Sequence, residues 1–444
     1  MPRLFGTDGI RGIANVDLKP PLAYALGRAT AQHLAAAGGA IVVGQDTRRS
    51  GDMFVAAIAA GATSLGVDVH QVGVVPTPAL AFLAGRGSFA GGIMVSASHN
   101  PADDNGLKVL DGRGLKLDDT VEDELEQLIW QADELVGVGN AGLGRVIDAH
   151  GLVDEYRAHR MGLAAGIPAR GLKVVLDGAN GSGAMLGPGL LAATGAEVEV
   201  IHAAPDGVNI NVRCGATDPA SLAKAVVRLG ADVGFALDGD ADRLIAVDAG
   251  GQVVDGDQVL GILALDRLAR GALPGGGLVV SVLSNGGLQS AVEAAGGQVV
   301  RTPVGDKYIL EGMQVSGAAL GGEKSGHVII LEHTTSGDGI VTALEVLRVM
   351  CARRESLATL AEAIPMLPQQ QRAVRARHKD QWEGDRILGA AIAEATRRLG
   401  LGGRILVRPS GTEPALRVMV EGEDATLVLE LADSLATLAG ERLD

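Results

Sequence analysis

One local pattern opens three separate parts of the chain: a run of branched apolar residues, then a loop of small polar residues, then an Ala-rich or apolar helix-like segment. It begins at Leu172, where Leu-Lys-Val-Val-Leu precedes Asp-Gly-Ala-Asn-Gly-Ser-Gly, and again at Gly277, where the loop is Ser-Asn-Gly-Gly. Near the N-terminus, residues 40–43 precede a polar loop and a helix-like stretch at 53–65. Buried strands that alternate with helices in this way predict α/β domains, here three related ones.

The chain has 444 residues, which is too long for one ordinary core. Pro365 and Pro368 mark a change in composition, after which strand-like and helix-like stretches form a shorter segment. The predicted fold is therefore α/β: three related mixed-sheet domains and a smaller C-terminal α+β domain around a central active-site cleft. The predicted limits are 1–150, 151–255, 256–367 and 368–444.

Composition excludes several classes of function. The net charge is −15 and only 2% of residues are aromatic, so nucleic acid and anionic membrane surfaces are poor partners. The two cysteines, Cys214 and Cys351, match no metal spacing and fit a reducing compartment. The N-terminus has no apolar signal region, and Pro274 interrupts the longest uncharged window. We expect a soluble cytoplasmic protein.

The stretch 93–108 combines several reactive groups in one loop. Apolar Ile93-Met-Val gives way to Ser-Ala-Ser-His-Asn, and Pro101 prevents a simple continuation of the strand. A hydroxyl at Ser98 therefore lies at a strand-to-loop corner, with the imidazole of His99 beside it and the ammonium of Lys108 ten residues later. An ordinary surface turn is the alternative, because Ser, Asn and Gly are common turn residues.

Three carboxylates follow the apolar run 233–237 at alternate positions, as Asp238, Asp240 and Asp242. Such spacing can direct hard oxygen ligands toward one Mg²⁺ or Ca²⁺ ion. A calcium EF-hand is excluded, because Arg243 stands where its glycine would be. Two alternatives remain: an acidic surface turn, or a phosphatase that uses Asp238 as its nucleophile.

Two later loops carry groups suited to a sugar phosphate. In Gly-Gly-Glu-Lys-Ser-Gly-His, Glu323 and Ser325 could hold sugar hydroxyls, although a simple hairpin turn would also explain this loop. Arg408-Pro-Ser-Gly-Thr-Glu-Pro, followed by Arg417, offers hydroxyls, backbone N–H groups and guanidinium forks that suit phosphate. A solvated turn is the alternative. The loop lacks a Walker A pattern, so an ATP cradle is not indicated.

Together these loops resemble the α-D-phosphohexomutase superfamily. Leu4-Phe-Gly-Thr-Asp-Gly-Ile-Arg-Gly resembles its opening signature, and the four loops described above resemble, in order, its phosphoserine, metal, sugar-binding and phosphate-binding loops. The Ser-Ala-Ser-His-Asn-Pro variant, the segment 205–218 and the loop that contains Asp338 are most similar to the members that act on hexosamine phosphates. The resemblance extends over essentially the whole chain.

The resemblance implies an intramolecular phosphotransferase of the isomerase class, which interconverts glucosamine 6-phosphate and glucosamine 1-phosphate for UDP-N-acetylglucosamine and cell-wall precursor synthesis. It implies a phosphoserine enzyme, a 1,6-bisphosphate intermediate, glucosamine or glucose 1,6-bisphosphate as activator, and one Mg²⁺ per chain. The implied metal ligands are Ser98, Asp238, Asp240 and Asp242, with Arg243 supporting them; the implied catalytic residues are Ser98, Lys108, Arg11 and His99. The implied substrate-binding residues are Glu323, Ser325, His327, Lys307, Arg408, Ser410, Gly411, Thr412 and Arg417.

Two other functions remain open at this point. One is a phosphomannomutase/phosphoglucomutase, which shares the chemistry but acts on hexose phosphates. The other is a sugar-phosphate-binding protein without catalysis, which would have no need of a nucleophile. The superfamily includes dimers, so a homodimer is also compatible with the resemblance.

Overall fold

The structure is a computed structural model that describes residues 3–6, 8–35, 39–410 and 414–444. The predicted substrate-binding residues Gly411 and Thr412 lie outside these ranges. Two compact units are distinguished: one contains the chain up to Val282 together with Val292–Ala363, and the other contains Leu283–Ala291 and Ile364–Asp444. Among the described residues, the helices are all too short or too polar to cross a bilayer.

The first α/β region is built on a six-stranded mixed sheet. Its strand order is β1-β5-β4-β2-β3-β6; β2 pairs in parallel with β3 and β4, β3 in parallel with β6, and β5 runs antiparallel to β4 and β1. Its elements are β1 (Ile10–Ile13), α1 (Pro20–Leu34), β2 (Ala40–Gln45), α2 (Gly51–Thr63), β3 (Asp68–Val74), α3 (Thr77–Ala84), β4 (Gly91–Val95), β5 (Asp104–Asp111), α4 (Asp119–Trp130) and β6 (Val146–Asp148).

The second region repeats the design with five strands in the order β11-β10-β9-β7-β8. The strands β8, β7 and β9 are parallel, whereas β10 returns antiparallel to β9 and pairs with β11. Its elements are α5 (Val153–Ala165), β7 (Lys173–Asp177), α6 (Gly187–Ala192), β8 (Glu197–Ile201), α7 (Ala220–Leu229), β9 (Val233–Leu237), β10 (Leu244–Asp248) and β11 (Val253–Val254).

The third region has four strands in the order β13-β12-β14-β15, of which the last pairs antiparallel. Its elements are α8 (Gly256–Ala269), β12 (Gly277–Ser281), α9 (Gly286–Ala294), β13 (Gln298–Thr302), α10 (Asp306–Ser316), β14 (Leu320–Gly322), β15 (Val328–Ile330), α11 (Gly339–Arg353) and α12 (Leu357–Glu362). Helix α11 is buried along most of its length, so even its polar Glu345 is enclosed.

The C-terminal region is a three-stranded antiparallel sheet with helices, in the strand order β16-β18-β17. Its elements are β16 (Gln369–Arg375), α13 (Arg386–Leu399), β17 (Arg404–Pro409), β18 (Ala415–Glu421) and α14 (Ala425–Leu443). The fold class expected from the sequence is thus confirmed: three mixed-sheet α/β domains are followed by a smaller C-terminal α+β domain.

The local sequence explains where these elements begin. Central strands such as β4 and β9 are short, fully buried apolar runs, and Ile41, Val42 and Val43 of β2 have no exposed surface. Many helices begin at an aspartate whose carboxylate accepts the otherwise unpaired N–H groups of the first turn. Such caps precede α4, α8, α11, α13 and α14, at Asp118, Asp255, Asp338, Asp385 and Asp424.

Candidate active site

Ser98 lies at the corner that follows β4, in a backbone conformation with φ of 52°. Residues other than glycine rarely adopt this left-handed conformation, which persists only where the surroundings hold it. The Ser98 N–H donates to Ser96 Oγ at 2.9 Å, and Ser96 Oγ donates to Asp46 at 2.7 Å. The Ser98 carbonyl accepts from Arg48 at 3.0 Å and from the Asn211 amide at 2.8 Å. The corner is therefore held on both sides of the serine.

The loop after β9 meets this corner although it lies far away in the sequence. Ser98 Oγ donates to Asp238 Oδ2 at 2.6 Å. Gly239 permits the approach, because a Cβ atom there would lie 2.6 Å from the Ser98 carbonyl oxygen. Both Ser98 and Asp238 are fully buried. The tertiary structure thus joins the two most reactive stretches of the sequence.

The residues Asp238, Asp240 and Asp242 fit a divalent cation. All three are buried, and one carboxylate oxygen from each lies within 4.8 Å of the others. Within the described residues, Asp240 Oδ1 and Asp242 Oδ1 are buried without a hydrogen bond, which is costly unless a cation binds them. Burial, with repulsion from Asp242 and Asp240, raises the pKa of Asp238 well above its usual range. Hard oxygen donors of this kind suit Mg²⁺.

Asp240 is positioned by groups from the first α/β region. Thr77, at the start of α3, donates its hydroxyl to Asp240 Oδ2 at 2.6 Å and its N–H to the Asp240 carbonyl at 2.9 Å. Lys108, on β5, donates to the same Oδ2 at 2.8 Å. The loop of three aspartates is therefore oriented by hydrogen bonds from the first α/β region, and carboxylates that bind metals commonly accept such bonds.

Lys108 is a buried cation surrounded by carboxylates. Its Nζ atom lies 3.1 Å from Asp8 Oδ2 and 3.8 Å from Asp242 Oδ2, in addition to the bond with Asp240. Burial alone would lower the pKa of Lys108, but Asp240, Asp8 and Asp242 together raise it above its ordinary value. Burial would likewise raise the pKa of Asp8, but Lys108, Lys116 and Arg11 hold it well below its usual range. Lys108 is consequently held as an ammonium ion.

His99 and Arg11 complete the surroundings of the serine. His99 Nδ1 lies 3.3 Å from Ser98 Oγ. Burial lowers the pKa of His99 to about 4, with further contributions from Arg243 and Arg11, so the ring is neutral at pH 7. Arg11 donates to Asn100 Oδ1 at 2.9 Å and also to Asp8. The predicted catalytic residues besides Ser98 therefore lie around one site. They are Lys108, Arg11 and His99.

The predicted sugar-binding loop is hydrogen-bonded to the chain directly after the three aspartates. The Leu244 N–H donates to the Gly326 carbonyl at 2.9 Å, directly after Arg243. Arg243 donates its N–H to Asp238 Oδ1 at 3.2 Å, and its Nε atom lies 3.7 Å from Asp242 Oδ1. Arg243 therefore lies against two of the three aspartates, and its supporting role stays a prediction.

The predicted sugar-binding residues have different surroundings. His327 is buried, with its Nδ1 atom 3.6 Å from Asp242 Oδ2. Glu323 Oε1 accepts the Gly305 N–H at 3.1 Å. Ser325 Oγ is buried with no hydrogen bond among the described residues. Lys307 is bound by α4, where it contacts Asp119 and lies 3.3 Å from Glu122.

The predicted phosphate loop belongs to the second compact unit. Arg408 of β17 and Arg417 of β18 are directly paired across the antiparallel sheet. The Ser410 N–H donates to the Ala415 carbonyl at 2.8 Å, and Lys379 donates to the Ser410 carbonyl. Two arginines of this small sheet therefore lie side by side, and a lysine binds the chain directly after β17.

Several residues of the site were missed by the sequence analysis. They are Asp8, Asp46, Arg48, Thr77, Asn211 and Lys379. Asp8 and Asn211 lie inside the quoted motifs, but the sequence does not indicate which atoms they contact. Thr77 carries one signal, since it stands between two prolines directly after a strand-like run. Arg48 resembled an ordinary loop arginine, although it is buried beside Asp46 at 2.9 Å.

Comparison with known protein families matches the chain from end to end. Four phosphoglucomutase/phosphomannomutase families match: alpha/beta/alpha domain I at residues 2–136, domain II at 154–251, domain III at 255–367, and the C-terminal domain at 371–438. The exact limits proposed from the sequence stay a prediction.

Individual proteins match over nearly their full length. The chain is 51% identical to a phosphoglucosamine mutase of Moorella thermoacetica, covering 96% of both chains, and 48% identical to one of Symbiobacterium thermophilum, covering 98% of both.

Solved structures share the fold. A phosphoglucomutase/phosphomannomutase family protein of Burkholderia thailandensis superposes with a TM-score of 0.84 at 28% identity, covering 100% of this chain and 99% of that one. The N-acetylphosphoglucosamine mutase of Aspergillus fumigatus, solved with GlcNAc-6P and magnesium, gives 0.72 at 20% identity, covering 100% and 96%. Because all four domains of the family match in order, and a full-length relative is 51% identical, the chain belongs to the phosphoglucomutase/phosphomannomutase family of phosphosugar isomerases.

Proposed function

We propose that this protein is a phosphoglucosamine mutase, which interconverts glucosamine 6-phosphate and glucosamine 1-phosphate. Full-length relatives at 51% and 48% identity carry that name, which supports the choice of substrate. The observation that carries the chemistry is the 2.6 Å hydrogen bond between Ser98 Oγ and Asp238, inside a cluster of three buried carboxylates. A binding protein has no need of a buried hydroxyl against a cation site, so this arrangement favours catalysis.

In the proposed reaction, Ser98 carries a phosphoryl group. The bond between phosphorus and Ser98 Oγ breaks while a bond to a sugar hydroxyl oxygen forms, which yields a 1,6-bisphosphate. That intermediate turns around, and its other phosphoryl group returns to Ser98. The covalent donor keeps the phosphoryl group from water and divides the isomerisation into two transfers.

Each transfer moves one proton from the attacking sugar hydroxyl and supplies one to the leaving serine oxygen. Lys108, held as an ammonium beside Asp240, is the proposed proton-transfer residue and donates the proton that the leaving serine oxygen takes up. His99, a neutral ring 3.3 Å from Ser98 Oγ, assists by accepting the proton that the sugar hydroxyl loses. Arg11 assists through its contacts with Asp8 and Asn100.

A Mg²⁺ ion would be held by Asp238, Asp240, Asp242 and the phosphate on Ser98, and when bound it supplies positive charge that offsets charge on the transferring group. Arg243 supports these carboxylates.

Sugar and phosphate recognition are assigned to the remaining loops. Ser325 Oγ, buried and without a hydrogen bond among the described residues, suits a sugar hydroxyl, and Glu323 and His327 belong to the same loop. Arg408, Ser410 and Arg417, together with Gly411 and Thr412, would bind the phosphate that does not react. Lys307 would add a cation, provided that substrate draws it away from α4.

The substrate is tested by turnover of glucosamine 6-phosphate, glucose 1-phosphate and mannose 1-phosphate with saturating Mg²⁺, each with and without its 1,6-bisphosphate. We expect a clear preference for the hexosamine phosphate. Equal or faster turnover of the hexose phosphates would reassign the protein as a phosphomannomutase/phosphoglucomutase. Release of free phosphate without isomer would indicate a hydrolase that acts through Asp238.

The phosphoserine is tested by Ser98→Ala, with the exposed Ser88→Ala as the matched control. Ser98→Ala should abolish turnover and remove a protein-bound phosphate from the intact mass, whereas Ser88→Ala should change neither. Asp240→Asn should lose Mg²⁺-dependent activity with its far-UV circular dichroism unchanged. Full activity of Ser98→Ala would exclude the mechanism.

A further inference from the structure

We propose that Asp177, His202 and Cys214 form a second cation site, separate from the three aspartates and suited to a borderline metal ion such as Zn²⁺. The inference rests on the positions of these side chains and does not depend on the proposed mutase activity. The site lies within the second α/β region, where three loops approach one another at the carboxyl ends of β7 and β8.

The three side chains offer one oxygen, one nitrogen and one sulfur donor, which all lie within 4.8 Å of one another. Asp177 is the last residue of β7, His202 directly follows β8, and Cys214 belongs to the long loop before α7. Asp177 and Cys214 are fully buried, whereas the His202 side chain is 30% exposed. Solvent therefore reaches the cluster on the side of the imidazole ring.

A second observation points to a ligand. His202 Nδ1 is buried and, within the described part of the chain, makes no hydrogen bond. It lies 3.1 Å from Asp177 Oδ2, close enough for an ion pair but without hydrogen-bond geometry. A buried ring nitrogen without a partner is costly, and a cation between it and the carboxylate would satisfy it.

The carboxylate is already oriented for such a role. Asp177 Oδ1 accepts the Ala179 N–H at 2.9 Å, and Oδ2 accepts the Gly215 N–H at 3.0 Å. Asn180 Nδ2 lies 4.0 Å from Cys214 Sγ, where its N–H groups face the sulfur. Hydrogen bonds of this kind to the ligands commonly hold metal sites in place.

The mixture of donors decides the class of metal. Zn²⁺ binds thiolate, imidazole and carboxylate at about 2.0–2.3 Å, usually with four ligands in a tetrahedron. Mg²⁺ prefers oxygen ligands only, so the two clusters of this chain should select different ions. Donors within 4.8 Å need only a modest inward movement to reach these distances.

Binding would exchange a proton for the metal. Burial, with the nearby carboxylates of Asp177 and Asp218, raises the pKa of the Cys214 thiol to about 12. The S–H bond breaks as the sulfur–metal bond forms, and the proton passes to solvent. No oxidant or reductant takes part.

The site would connect two loops that support Ser98. Asn211, three residues before Cys214, donates to the Ser98 carbonyl, and the Asn180 carbonyl accepts from Thr47 at 2.6 Å in the neighbouring α/β region. A bound ion would therefore act as a cross-link behind the serine corner and would stabilise it without touching substrate.

The test is a titration of the reduced, full-length protein with Co²⁺ and Zn²⁺ in excess Mg²⁺, which occupies the oxygen-ligand site. Co²⁺ reports a cysteine ligand through a sulfur-to-metal charge-transfer band in the near ultraviolet. We expect this band to appear with one Co²⁺ per chain and to disappear when Zn²⁺ is added. We also expect Zn²⁺ to raise the Tm of the protein.

Cys214→Ser should remove the band and weaken Zn²⁺ binding about 100-fold or more, given that loss of even an outer-sphere partner costs 10- to 100-fold. Cys351→Ser, which changes the other cysteine, should retain both the charge-transfer band and the affinity for Zn²⁺. His202→Asn provides a second variant if Cys214→Ser fails to fold, as judged by circular dichroism. Absence of the band in the wild-type protein, or a band that survives Cys214→Ser or His202→Asn, would overturn the proposal and leave Asp177 and His202 as an ordinary ion pair.

Discussion

Asp8 Oδ2 lies 3.1 Å from the Lys108 ammonium, although the two residues are far apart in the sequence. The antiparallel pairing of β1 with β5 causes this proximity, because Ile10 lies opposite Leu107 and the residues just before β1 therefore run alongside Lys108. Asp8 also binds Arg11 and Lys116, and Lys116 reaches Asp306 in the third α/β region. The opening segment of the chain thus helps to position the proposed proton-transfer lysine.

Replacing Asp8 tests that role. Asp8→Asn keeps the shape of the side chain but removes its charge, which leaves Lys108 less firmly placed. We expect kcat for mutase turnover to fall about 100-fold with a much smaller change in KM, because small displacements of reacting groups have costs of that size. The exposed Asp17→Asn should behave like the wild type. A changed KM with normal kcat would contradict the positioning role.

Thr77→Val tests the support of the metal loop. Valine has nearly the shape of threonine but cannot donate the 2.6 Å hydrogen bond to Asp240 Oδ2. We expect the Kd for Mg²⁺, measured by calorimetry, to rise about 10- to 100-fold while the fold is retained. Thr63→Val removes a hydroxyl that only contacts backbone of its own helix, so it should leave the affinity unchanged. Equal affinity in Thr77→Val would show that the loop holds Asp240 by itself.

Glu345 predicts a dependence of stability on pH. Burial would raise its pKa, but His333, Arg348 and Arg267 lower it from 4.5 to about 2. Because the folded-state pKa is lower than that of the unfolded chain, the contribution is fully present above about pH 4.5 and declines as pH falls toward 2.

Glu345→Gln should therefore lower the free energy of unfolding by about 3 kcal/mol at pH 7, with a smaller difference at pH 3.5, in guanidinium titrations. The matched control is Glu332→Gln, because Glu332 lies 3.5 Å from Arg267 but is half exposed. Its effect should be under about 1 kcal/mol. Equal effects of the two substitutions would contradict the role of burial.

Arg417→Lys tests phosphate binding by the C-terminal sheet. Lysine keeps the charge but lacks the planar fork that binds phosphate through two parallel hydrogen bonds. KM for the sugar phosphate should rise about 10-fold or more, with kcat changed much less. Arg375→Lys on β16, where the arginine lies 3.3 Å from Asp444, is the control and should leave KM unchanged. A similar KM in both variants would remove Arg417 from the phosphate site.

Much of the architecture followed from local patterns. The apolar run at 233–237 is strand β9, residues 40–43 lie within β2 (Ala40–Gln45), and the helix-like stretch at 53–65 overlaps α2 (Gly51–Thr63). These elements could be predicted because a short apolar run, or a longer Ala-rich apolar stretch after a polar loop, has only local requirements.

The contents of the candidate site could be predicted only in part. Ser98 and the three aspartates could be predicted because each group of reactive side chains directly follows a buried apolar run, and Lys108 because it lies ten residues after Ser98 in the same stretch. The partners of Lys307 could not be predicted from the sequence, since its contacts with Asp119 and Glu122 depend on how α4 packs against the third α/β region. The same limit applies to His327, whose proximity to Asp242 results from the attachment of one loop to another.

By itself, the sequence determined the family, the alternation of strands and helices that makes the domains α/β, and the chemical groups available for phosphoryl transfer, because these depend on residue types at short spacing. The tertiary structure alone decided which distant groups meet. It brings four pairs of side chains or backbone groups into contact: Asp8 with Lys108, Thr77 with Asp240, Arg48 with Ser98, and His202 with Asp177. The physical reason is that such contacts depend on strand order, register and burial. Periodicity along the chain carries no information about them.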